Sequence, residues 1–140
     1  MSKVKNQKLK HTLEWERAKD VQKEIQHIVS VLRLIHIQPS RIFCFRTTGS
    51  TSRSYARIWT FPKIFQQALS LKPAYVIEVL SKHFDKLNDE EKKKVLIHEL
   101  LHIPKNFSGA LLPHKSRGRR LGSLANDLFK EYKRISSLPT

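Results

Sequence analysis

His98 and His102 stand four residues apart in VLIHELLHIP, residues 95–104, and Glu99 lies between them. On an α-helix this spacing leaves the two rings about 40° and one turn apart, so both project from one face. Two imidazoles so placed can share a metal ion. Glu99 lies about 100° around the helix from His98, too far to ligate the same ion but placed to deprotonate a water at an open coordination position. Two ligands, a base and an activated water are what metal-assisted hydrolysis requires, and zinc lowers the pKa of such a water to about 7. The plain alternative is a helix that happens to carry two histidines.

A catalytic zinc ordinarily takes three protein ligands and keeps one position open. The extended HExxHxxGxxH spacing does not supply the third, because Lys105 and Ser108 occupy its glycine and last histidine positions. His114, beyond a loop long enough to turn back, is the leading candidate. Asp127 and Glu131, on the last helix, are the alternatives.

The segment that carries the pair starts well. Asn88 suits an N-cap, Glu91 falls at the capping-box position, and Asp89, Glu90 and Glu91 put negative charge at the positive helix end. Pro104 stops the helix just past His102. Upstream, an apolar stripe of Ala18, Val21, Ile25, Ile28, Val29, Leu32 and Ile35 predicts an amphipathic helix from about residue 12, with Thr12 as N-cap. RIFCFRTTG and YARIWTF read as two strands of a hairpin with a long connection, KIFQQALS as a short helix or loop, and AYVIEVL as a third strand. Residues 105–120 read as a loop. Leu121, Leu124, Ala125, Leu128, Tyr132 and Ile135 share one face of a last helix. The expected fold is α+β: a three-stranded sheet packed on an N-terminal helix and the histidine-bearing helix, plus a C-terminal helix. Residues 1–11 read as a basic flexible tail and 12–138 as one domain.

The chain has 140 residues, with 27 Lys+Arg against 12 Asp+Glu, a formal net charge of +15. Such a balance suits an anionic partner, nucleic acid first. Arg117, Arg119 and Arg120 follow His114, and Arg46, Arg53 and Arg57 surround the loop after the first strand. Phe43, Phe45, Tyr55 and Trp59 interleave with these arginines, as in single-strand binders. At strand spacing, however, the core is the stronger expectation for those rings. The single cysteine, Cys44, excludes an internal disulfide and reads as a small core residue. A polar, basic start and the lack of any ~18-residue apolar run predict a cytoplasmic protein without a membrane span.

VLIHELLHIP followed by LLPH, and preceded by YVIEVL, resembles the small HExxH metallopeptidases of the phage metallopeptidase-like type, which are in turn similar to the core of SprT-like zincins. The likeness runs from about Ala56 to Leu121. It implies a zincin-like domain, with Zn2+ held by His98, His102 and His114, Glu99 as base, and a peptide or protein substrate. It also implies that AYVIEVL lies at the cleft edge, where an extended peptide could pair with it. One cysteine leaves no room for the zinc ribbon of SprT proteins. The competing expectation is a basic nucleic-acid-binding module whose zinc site is structural or vestigial.

Overall fold

The computed structural model describes residues 12–116 and 119–139. The tail expected at residues 1–11 and Arg117 lie outside them.

The element order is β1 (Glu14–Arg17), α1 (Lys19–Val31), a 3-10 turn (Pro39–Arg41), β2 (Ile42–Thr48), β3 (Ala56–Trp59), α2 (Lys63–Ala68), β4 (Tyr75–Leu80), α3 (Ser81–Phe84), α4 (Asp89–Leu100), β5 (Lys115–Ser116), β6 (Arg119–Arg120) and α5 (Leu121–Ser136). The fold is α+β as expected, but its main sheet has four strands rather than three, in the order β1-β2-β4-β3. β1 is antiparallel to β2, β2 is parallel to β4, and β3 is antiparallel to β4.

Two expectations are corrected here. The first helix does not start at Thr12. Residues 14–17 form the edge strand β1, and the helix begins at Lys19, where the apolar stripe does. Upstream of Ala18 the stripe meets Glu14, and only Trp15 lies at its margin, so a helix over 12–17 would have had little face to bury. At its other end Arg33 takes a positive φ of 51° and Leu34 donates to the Val29 carbonyl, so Ile35 ends up 94% exposed instead of in the core.

The second correction concerns pairing. β2 and β3 are not a hairpin, because β4 lies between them. YVIEVL is nearly apolar throughout and almost all of it is buried, which suits a central strand flanked by a neighbour on each edge. β3, four residues long and partly exposed, takes the edge instead.

One face of the sheet carries the core. Ile42, Cys44, Tyr75, Ile77 and Val79 pack against Val21, Ile25 and Ile28 of α1, Leu96, Ile97 and Leu100 of α4, and Ala125, Phe129 and Tyr132 of α5. Cys44 is buried as expected, and burial pushes its thiol up to about 12. β1 stops short of the start of β2, and there Gln22 of α1 takes over. Its amide donates to the Ile42 carbonyl and accepts from the Cys44 N–H. This bonding satisfies backbone groups that would otherwise be buried without partners. Among the described residues, no helix is long and apolar enough to cross a membrane.

Candidate metal centre

α4 opens with the capping box read from the sequence: the Asn88 side chain accepts from the Glu91 N–H, and Glu91 accepts from the Asn88 N–H. The helix packs against α5, α1 and β3. Leu96, Ile97 and Leu100 are buried, so the face bearing His98 is fixed by the core beneath it. His102 lies two residues beyond the last helical residue, its N–H donating to the Glu99 carbonyl. That tighter turn carries the helical direction on just far enough to keep both rings on one side.

The loop after Pro104 returns to the same place. Tyr75, at the start of β4, organises it. The Tyr75 hydroxyl donates to the Ala110 carbonyl and accepts from the Gly109 N–H, and its ring stands edge-on to Phe107 with centroids 5.0 Å apart. Thr60 adds a bond to the Gly109 carbonyl. Gly109 has a φ of 90°, and a Cβ there would run into the Gln66 amide, so only glycine suits the position. Two bonds then tie the loop to His102: the Leu112 N–H donates to the His102 carbonyl, and His102 Nδ1 lies 2.6 Å from the Leu112 carbonyl. A carbonyl can only accept, so Nδ1 carries the proton and Nε2 keeps its lone pair for a ligand.

His114 arrives two residues later. Ring centroids are 5.3 Å apart for His98 and His102, 5.4 Å for His98 and His114, and 4.7 Å for His102 and His114. One nitrogen from each lies within 4.8 Å of the others, a group compatible with a metal site. Burial, with the neighbouring imidazoles, holds His98 below the usual histidine range; burial, partly offset by the Leu112 carbonyl, does the same for His102. Neutral imidazole is the form that binds metal. The alternatives for third place are elsewhere. Asp127 is exposed on α5, and Glu131 pairs with Arg134 on the same helix.

Glu99 is 7% exposed, and its Oε2 is buried with no hydrogen-bond partner among the described residues. Burial pushes its carboxyl up to about 7. It borders a cleft of ≈ 520 Å³ shared with His98, His114, Tyr55, Ala56 and Asn126. Tyr75 and Tyr132, whose hydroxyls could in principle serve a developing negative charge, do neither: Tyr75 holds the loop, and Tyr132 bonds to His27. Tyr55 reaches the cleft instead, its ring edge-on to His83. No spacing in the sequence marks Tyr55 or Asn126. They arrive from β3 and α5 through the fold alone.

A mixed sheet backed by helices, with three clustered imidazoles beside a buried carboxylate at an open cleft, suits a protein that uses a metal ion. The model of the family described as "Putative phage metallopeptidase" matches residues 13–135, and the chain belongs to that family. No curated protein and no solved structure gives a significant match.

Proposed function

We propose that this protein is a zinc-dependent peptidase with a zincin-like site, in which His98, His102 and His114 hold the ion and Glu99 is the general base. The observation that carries the reading is the buried Oε2 of Glu99, which has no partner among the described residues and belongs to a side chain that lines one cleft with His98 and His114. An unpaired buried carboxylate costs several kcal/mol unless a cation or a proton donor meets it. The donor set fits zinc: three nitrogens, no thiolate, and a cleft on the fourth side. A structural site would be closed by a fourth protein ligand, so the open cleft favours catalysis over a structural zinc.

Bound zinc would polarise the scissile carbonyl and lower the pKa of the attacking water. Glu99 takes that water's proton and passes it to the leaving amine. The Leu112 carbonyl keeps His102 in the tautomer that presents Nε2. The resemblance pointed to AYVIEVL as the strand beside the substrate, but β4 is flanked on both sides. β3 is the edge strand, and Tyr55 and Ala56 at its start line the cleft. An extended peptide would therefore add to β3.

Elemental analysis of purified wild type, His114→Ala and Glu131→Ala tests the ligand set. One zinc per chain is expected in wild type and Glu131→Ala, and little in His114→Ala. Full occupancy in His114→Ala would remove His114 from the site.

A further inference from the structure

Among the described residues, no helix covers the sheet face opposite the core. Strand alternation brings Trp15 and Arg17 of β1, Phe43 and Phe45 of β2, and Arg57 and Trp59 of β3 to this side, where Trp15, Phe45, Arg57 and Trp59 border a hollow of ≈ 560 Å³. The rings expected in the core are therefore outside it. Trp15 is 60% and Trp59 50% exposed. The Arg17 guanidinium lies 5.9 Å and 5.5 Å from the centres of Phe43 and Phe45, and that of Arg57 lies 5.4 Å from the centre of Trp59. A second hollow of ≈ 340 Å³ adjoins the first at Trp59 and Val76. We propose that this open face binds single-stranded nucleic acid, with bases stacked on the exposed rings and phosphates met by the arginines beside them.

Three observations favour this occupant. The net charge of +15 attracts a polyanion and repels a second copy of the chain. The acidic residues of β1, Glu14 and Glu16, alternate with Trp15 and Arg17 and so point away from this face. The carboxylate in its floor, Glu78, is already satisfied. Burial would raise its pKa, but bonds from Thr47, Trp59 and Arg57 outweigh that and hold it low. Flat rings paired with guanidinium planes accept the face of any base, which a duplex keeps hidden in its stack. The face is hollow rather than protruding, and so is poorly shaped to wedge into a lipid surface. It is on the far side of the sheet from the metal centre and does not depend on peptidase activity.

Trp15 and Trp59 are the chain's two tryptophans, so intrinsic fluorescence reports on this face alone. A 12-nucleotide oligothymidylate titrated into the full chain at low salt should quench it. The logarithm of affinity should fall with the logarithm of salt, by about 0.7 per phosphate contacted. By labelled-oligonucleotide anisotropy, Trp15→Ala and Trp59→Ala should each weaken binding at least about fivefold, while Trp59→Phe keeps most of it. Arg17→Ala, at an exposed edge strand, should weaken binding with the circular dichroism spectrum unchanged. His98→Ala should bind as wild type does, which keeps this test separate from that of the peptidase. Four results would each overturn the proposal: no quenching; equal affinity for a duplex of the same length; binding to anionic vesicles but not to the oligonucleotide; or a fluorescence change that follows protein concentration without nucleic acid.

Discussion

Replacing Glu99 by glutamine should make the metal-free protein more stable while sharply lowering turnover of the metal-loaded one. In an unfolded chain a glutamate titrates near 4.5, and in the fold burial moves Glu99 to about 7. The folded protein thus binds a proton over this window that the unfolded chain has released, and its stability falls as pH rises from 4.5 to about 7. Below the window both states are protonated, and above it both are ionised, so the penalty is complete. The gap corresponds to ~3 kcal/mol. Glutamine has nearly the same shape and no charge to bury. Thermal melts of wild type and Glu99→Gln in chelator should therefore coincide near pH 4 and diverge up to pH 8, with the variant higher by on the order of 10 °C. His98 and His102 also titrate, but in both proteins, so they cancel from the difference. Saturating zinc should shrink the divergence, because a cation beside the carboxylate stabilises its ionised form. Peptide hydrolysis by the zinc-loaded variant should fall by roughly 10²–10⁴-fold. A melting difference that does not change with pH would refute the idea that the cleft strains an uncompensated carboxylate. Retained turnover would refute Glu99 as the base.

Other outcomes follow from the same geometry. Zinc at about a thousand times its dissociation constant should stabilise wild type by ~4 kcal/mol in a melting assay, and His114→Ala should lose most of that gain. Tyr75→Phe removes the hydroxyl that bonds Gly109 and Ala110, and should weaken zinc affinity by roughly 10–100-fold in chelator competition while the helical content stays constant. Arg46 bridges Asp20 and Asp85 and, by hydrogen bonding, holds Asp20 below its usual pKa. The stability this contributes is present above pH 3.8 and is lost as pH falls through the lower folded value. Arg46→Ala should therefore unfold at higher pH than wild type in an acid titration, and the two curves should converge in high salt.

The local signals of the histidine helix were fully legible: a capping box, acidic residues in the first turn and a proline stop all act within a few residues. His114 could be named as a candidate because its type suited the chemistry, but its arrival depends on Tyr75, Thr60 and Gly109, which no spacing rule connects to it. The strand order was not legible as a hairpin. The unbroken apolar run of YVIEVL was the available clue to a central position, and the proximity of β2 and β3 in sequence hid it. β1 was absorbed into a helix because its four residues alternate in a way too brief to show a period. The aromatic residues of β2 and β3 show the limit of composition. Alternation fixed which rings share a face, but only tertiary packing decides whether a second layer covers it.

The twin bonds between His102 and Leu112 fix where the chain re-enters the centre, two residues ahead of His114. Residue count between His102 and Leu112 is thus decoupled from where His114 arrives. Lengthening a flexible surface connection is cheap, about 0.6 kcal/mol for each doubling. A few glycines or serines spliced in just after Lys105 should leave ion capture nearly intact, whereas one residue added between Leu112 and His114 would swing the imidazole out of reach.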